Sequence, residues 1–178
     1  MKNVAVIGSS GAIGKAFLNQ YLKDSSISNI YAISRTHIET NDERVKYIQM
    51  DITDEKSVEN AAKTIKEKYL DQIIIATGIL HTPSFGPEKS IRDISVNKFV
   101  EVLTVNTIGP ALVGKYFLPL LNNKNKSVMA FLSARVGSIS DNKLGGWYSY
   151  RASKSALNQV IKNFSIEIRR TNLNAVII

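Results

Sequence analysis

The run Val4-Ala5-Val6-Ile7 passes directly into Gly8-Ser9-Ser10-Gly11-Ala12-Ile13-Gly14, and no other stretch restricts the fold as strongly. A short, unbroken apolar run reads as a strand buried on both faces, which is the habit of parallel sheets. Apolar residues at Ala16, Phe17 and Leu22 then predict a helix immediately after the glycines. Strand, tight turn and helix N-terminus together suit a pyrophosphate. The glycines let backbone approach the phosphates, and the helix end offers unpaired N–H groups and a positive dipole. An ordinary tight βα turn would use the same residues. The position of the motif between strand and helix favours nucleotide binding.

Beyond the turn, strand-like and helical patterns alternate, which argues for a doubly wound α/β sheet. The pattern predicts strands at Asn3–Ile7, Ile30–Ser34, Val45–Gln49, Gln72–Ala76, Ser127–Leu132 and Asn174–Ile178. It predicts helices over Ala12–Lys23, Glu55–Tyr69, Val96–Leu121 and Tyr148–Thr171, with Thr53 able to cap the second. Thr77–Ser95, with Gly78, Pro83, Gly86 and Pro87, reads as an irregular loop. The expected architecture is a Rossmann-like, three-layer α/β/α arrangement in one dinucleotide-binding domain spanning 1–178 and ending on its sixth strand.

Composition narrows the function classes. There are no cysteines, which excludes disulfides, thiol nucleophiles and cysteine-ligated metals. The two histidines, His37 and His81, are isolated and read as loop residues, so no metal site is expected. No run approaches membrane-spanning length, and Met1-Lys2-Asn3 leads straight into a strand with no room for a signal peptide. A cytoplasmic protein is the default expectation. The net charge of +8 is spread over helical faces and loops without a basic run or interleaved aromatics, so nucleic-acid binding is not expected. A basic surface also attracts a polyphosphate cofactor.

Tyr150-Arg151-Ala152-Ser153-Lys154 sets a tyrosine and a lysine four residues apart, one turn from each other on a helical face. A neighbouring ammonium favours phenolate, so the phenol is expected to titrate below its ordinary range and to pass protons to or from a carbonyl or alcohol oxygen. Arg35, in Ser34-Arg35-Thr36 after the second strand, lies where an open dinucleotide fold meets the adenosine ribose. An arginine there suits a 2′-phosphate, and hence NADP over NAD, with Lys15 as an additional cation. Asp51 ends the third strand, placed either to bond the adenine edge or to cap the next helix. Ala76-Thr77-Gly78 ends the fourth strand with residues small enough for backbone to pass under a cofactor. In Asn106-Thr107-Ile108-Gly109-Pro110, the proline removes the N–H that would pair with the Asn106 carbonyl, which predicts a kink and a carbonyl free to hold water.

Taken in order, Gly8/Gly11/Gly14, Asp51, Ala76-Thr77-Gly78, Asn106 and Tyr150/Lys154 resemble the short-chain dehydrogenase/reductase family over essentially the whole chain. The segment from Leu132-Ser133-Ala134-Arg135-Val136-Gly137-Ser138 through Tyr150-Arg151-Ala152-Ser153-Lys154-Ser155-Ala156-Leu157-Asn158 is similar to its C-signal and sniffer-type carbonyl reductase branch. The resemblance implies hydride transfer between a nicotinamide cofactor and a carbonyl or secondary alcohol. Tyr150 would be the acid/base, Lys154 its modulator and ribose ligand, and Asn106 the holder of a linking water. Cofactor contacts are implied for Gly8, Ser9, Ser10, Gly11, Ile13, Gly14, Arg35, Asp51, Ile52, Ala76, Thr77 and Gly78, as well as Asn106, Tyr150 and Lys154. Pairing of two copies through the helices bearing Asn106 and Tyr150 is implied as well.

Three features depart from that pattern. The second glycine comes one position early, which leaves the binding physics intact. The substrate-binding serine, counted three residues back from Gly137, falls on Ala134. Ser133 can replace it only if the strand end twists or bulges, because alternate residues face opposite ways. The further helix, strand and substrate-covering segment usual after the sixth strand are not present, so a shortened chain is expected. A dinucleotide-binding or signalling module with little turnover is the alternative.

Overall fold

The computed structural model describes residues 1–66 and 69–178. Its centre is a six-stranded parallel sheet of β1 (Lys2–Ile7), β2 (Ile27–Ser34), β3 (Val45–Gln49), β4 (Gln72–Ile75), β5 (Ser127–Phe131) and β6 (Ala175–Ile177). The spatial order is β3-β2-β1-β4-β5-β6. Strand order reverses between β1 and β4, and the crevice beyond the carboxyl ends of those strands is where such sheets take ligands.

Among the described residues five α-helices accompany the sheet: α1 (Ala12–Leu22), α2 (Glu55–Thr64), α3 (Val96–Leu103), α4 (Gly109–Phe117) and α5 (Tyr148–Glu167). The period-two alternation of β1 divides the core. Val4 and Val6 join Leu18 of α1 on one face, while Ala5 and Ile7 join Val58, Val113, Phe117 and Leu157 on the other. Complete burial of a side chain such as Phe117 contributes about 1.5–3 kcal/mol. No helix among the described residues is long and apolar enough to cross a membrane.

The fold class is as the alternating pattern predicts, and the differences lie at element ends and within the central helix. β2 starts three residues early, where Asn29 Nδ2 donates to Asn3 Oδ1 at 2.8 Å. α2 stops at Thr64, because Ile65 turns extended to bury its side chain; of the helix expected to Tyr69, Glu67 and Lys68 lie outside the described residues. Its cap is Asp54, which accepts from Lys56 N at 2.9 Å, whereas Thr53 donates back to Asp51.

The expected long central helix is divided. Thr104–Ile108 forms a π-turn in which Gly109 N bonds Thr104 O, five residues back. The wider turn shifts the pairing by one residue just before Pro110, whose missing N–H is thereby accommodated. Gly109 also lets this bend press on the loop after β3: a methyl there would lie 2.8 Å from Ile52 Cγ1 and 2.9 Å from its carbonyl oxygen.

Candidate active site

Gly8 adopts φ +86, and its N–H and that of Ser9 both donate to Ile33 O, at 2.8 and 3.2 Å. The turn is thereby fastened to β2. It is fastened to α1 as well, since a methyl on Gly14 would overlap the Gly8 carbonyl oxygen and lie 2.7 Å from its carbonyl carbon. The N-cap of α1, Gly11, has no side chain to cap with, and no acid occupies the first turn. The helix therefore presents first-turn N–H groups with no partner of their own toward the crevice, a cradle that fits a phosphate.

The cleft beyond this turn has a volume of about 650 Å³ and is lined by Gly8, Ser10, Gly11, Arg35, Asp51, Ile52, Ala76, Thr77 and Gly78. Nine of the residues read from the sequence as cofactor contacts thus share one recess. Ser9 does not join them. It is fully buried, its N–H donates to Ile33 O and its hydroxyl has no partner among the described residues. Ile13 and Gly14 are also absent from the cleft lining: Ile13 is about half exposed on α1, and Gly14 is committed to packing.

At the β3 end of the cleft, Asp51 accepts the N–H and the hydroxyl of Thr53 at 2.9 and 2.7 Å. Those bonds, the backbone one above all, together with the nearby Arg35 charge, hold its carboxyl below the usual range. The helix-capping alternative for Asp51 thus falls to Asp54, and Asp51 remains on the cleft wall. An adjoining hollow of about 600 Å³ between α1 and residues 36–40 carries Lys15, Thr36 and His37, with Ser10 shared by both recesses. The His37 ring meets Tyr47 edge-on at 4.5 Å.

The Ala76-Thr77-Gly78 segment links the glycine turn to the helix that carries Tyr150. On one side, a methyl on Gly8 would be 3.0 Å from the Ala76 carbonyl and from Thr77 Cγ2. On the other, a methyl on Gly78 would lie 3.3 Å from both Asn106 Oδ1 and Lys154 Nζ. Asn106 is fully buried and acts here through its side chain. Its Oδ1 accepts from Ile79 N at 2.7 Å, and its Nδ2 donates to Ile79 O and to Ser153 Oγ at 2.8 and 3.0 Å. Ser153 Oγ in turn donates to Tyr150 O at 2.8 Å, so the π-turn, the β4 loop and α5 are joined.

Lys154 Nζ donates to Leu132 O at 2.8 Å and lies 5.8 Å from the centre of the Tyr150 ring. Burial pulls the lysine down to about 8 and pushes the Tyr150 phenol above its ordinary range. The sequence-based expectation was a lowered phenol. Burial disfavours the charged form of each group, and it sets the direction of both shifts.

Ser133 has a partner away from Tyr150. The β4–β5 register runs without a bulge from Gln72↔Val128 to Ile75↔Phe131, two residues short of Ser133. Ser133 Oγ instead donates to Asn158 Oδ1 at 2.6 Å. Asn158 is eight residues beyond Tyr150 on α5, about 12 Å along the axis. Ser138 is also committed within its own loop, accepting from Asp141 N at 3.3 Å. The sequence reading missed His81, Thr82 and Ser84, which line the cleft from the loop after β4. Their only local signal was their position in a Pro/Gly-rich connection.

The short chain dehydrogenase family model matches residues 2–178. The chain belongs to that family. Among curated relatives it is 32% identical over 131 residues to 1-hydroxy-2-glutathionyl-2-methyl-3-butene dehydrogenase of a Rhodococcus species, covering 72% of this chain and 54% of that protein. It is 32% identical over 80 residues to C-signal of Myxococcus xanthus, covering 45% and 48%. Among solved structures, carbonyl reductase Sniffer of D. melanogaster superposes with a TM-score of 0.85 at 21% identity, covering 97% of this chain and 77% of that one. This short-chain dehydrogenase spans about half the length of these two curated relatives.

Proposed function

We propose that this short-chain dehydrogenase binds NADP(H) and reduces a carbonyl, or oxidises the corresponding secondary alcohol, with Tyr150 as the acid/base. The observation that carries the reading is the bridge at Gly78. It lines the same cleft as the phosphate turn, and a methyl on it would lie 3.3 Å from both Lys154 Nζ and Asn106 Oδ1. Bound NADPH supplies the hydride for the carbonyl carbon. Tyr150 donates the proton to the carbonyl oxygen, Lys154 holds positive charge beside it, and Asn106 keeps the β4 loop in register with α5. The test is NADPH oxidation against a panel of ketones, aldehydes and quinones. No consumption above background across the panel would overturn the reading.

Arg35, with Lys15 beyond the shared Ser10 wall, supports NADP over NAD. Charge-assisted bonds to a 2′-phosphate are worth about 1.5–3 kcal/mol, or about 10–100-fold. Arg35→Glu is therefore expected to raise the KM for NADPH by about that factor and to lower the KM for NADH. Steady-state titration of both cofactors checks it.

Ala134 favours a second reading, a dinucleotide-binding module with little turnover, because no hydroxyl stands at the serine position of the family pattern. Loss of one oxyanion donor costs about 10²–10³-fold in kcat. Ala134→Ser should restore part of this, raising kcat by about 10–100-fold at unchanged NADPH affinity. Tight cofactor binding without turnover in both forms would favour the module.

A further inference from the structure

The helix that carries Tyr150 and Lys154 begins without a cap of its own. Its N-cap residue, Trp147, is in the left-handed conformation at φ 51 and ψ 44, makes no side-chain capping bond, and has no acidic residue in the turn that follows. Left-handed backbone is strained for a bulky aromatic and persists only where surroundings impose it. Gly145 and Gly146, both at φ 65, lead into it.

The restraint comes from Glu88, in the loop between β4 and α3. Its carbonyl oxygen accepts from Trp147 N at 2.6 Å, and its Oε2 accepts from Ser149 N at 3.4 Å. Gly146 is pressed on the same carbonyl, so that a methyl there would be 3.3 Å from it. Glu88 is 1% exposed, and its second carboxyl oxygen, Oε1, is buried with no partner among the described residues. Burying a carboxyl with half its capacity unused is costly, and the Ser149 N–H at the start of a 20-residue helix is the partner that offsets part of that cost.

We propose that Glu88 is the positioning residue for Tyr150: it caps α5 from the opposite loop and holds the Trp147–Tyr150 turn in place. The Trp147 and Tyr150 rings meet edge-on at 6.2 Å, so a displacement of the cap is transmitted to the phenol. The catalytic consequence rests on the oxidoreductase reading; the placement of the phenol does not.

The experiment uses the full chain, with Glu88→Ala, Glu88→Asp and Glu88→Gln, and two readouts. In protein carrying ¹³C-labelled tyrosine, the Tyr150 ring resonance is assigned by its loss in Tyr150→Phe. Glu88→Ala and Glu88→Asp should shift or broaden that resonance while leaving most of the other six unchanged. Glu88→Gln, which keeps an acceptor for Ser149 N–H, should leave it in place. In turnover, kcat should fall by about 10–100-fold in the first two variants, as expected for a displaced catalytic group, with the KM for NADPH unchanged and Glu88→Gln largely restored. If Glu88→Ala fails to fold, Glu88→Asp decides the question. An unmoved Tyr150 resonance with parental kcat overturns the proposal. So does a uniform change across all tyrosines with kcat and cofactor affinity falling together in Glu88→Asp. A parent without turnover would instead sink the oxidoreductase reading and leave the resonance test standing.

Discussion

Tyr150→Phe is expected to lower kcat for carbonyl reduction by about 10²–10⁴-fold, the usual contribution of a positioned acid or base, with NADPH affinity unchanged. Only the hydroxyl is removed. The ring stays half-buried against Trp147, and its backbone carbonyl still accepts from Ser153. Loss of cofactor binding in parallel with kcat would mean that the phenol is a packing group. The parent's pH profile supplies a second arm. Reduction needs the phenol protonated, and burial keeps it so beyond its ordinary range. Lys154 is charged only below about 8, so the rate should decline as pH rises through that value.

Unfolding cannot mimic this decline through Lys154. Between about 8 and the ordinary 10.5, the unfolded chain holds a proton that the folded chain has released. This group therefore makes the fold more stable as pH rises through that window. Circular dichroism across the same range separates the two. Lys154→Met should flatten the limb, and a profile flat around pH 8 in the parent would count against Lys154 as the titrating group.

The parts legible in the sequence were those governed by local chemistry. β1 and its glycine turn announce themselves because an apolar run, three glycines and a helical period coincide within one short segment. Tyr150 and Lys154 were legible for a similar reason: helical spacing alone puts them on one face. What escaped was set by distant contacts. The end of α2 depends on Ile65 finding the core, and the π-turn depends on Pro110 lacking an N–H and on how Gly109 meets Ile52. Ser9 has the composition of a phosphate contact, yet its N–H is taken by Ile33 of the neighbouring strand. Ser133 turned on whether a strand end bulges, which depends on strand pairing. Glu88 had no signal at all. It lies in an irregular loop, and its partner is a helix end about 60 residues away.

The second large effect is expected at Gly14. Gly14→Ala should lower Tm and raise the Kd for NADPH by about 10²-fold or more. The added methyl overlaps the Gly8 carbonyl oxygen and lies 2.7 and 2.8 Å from Gly8 C and Ser9 Cα, all backbone atoms that no rotamer change can move. The turn cannot retreat either, because Gly8 is already pressed against the Ala76 carbonyl and tied to Ile33 O. α1 must therefore lift, at about 1–3 kcal/mol for overpacking, and it takes its first-turn N–H groups out of the cradle. Gly11→Ala separates the two consequences. Its backbone is extended at φ −77, and its methyl would stand 3.4 Å from Gly8 O, so the fold should tolerate it. Yet Gly11 lines the cleft, and there the methyl would crowd an incoming phosphate. Thermal unfolding with and without NADPH should show Gly14→Ala destabilised in both conditions, and Gly11→Ala deficient only in the stabilisation that cofactor confers. Parental NADPH affinity in Gly14→Ala would mean that the helix N-terminus is not the phosphate site, and the dinucleotide reading would fall with it.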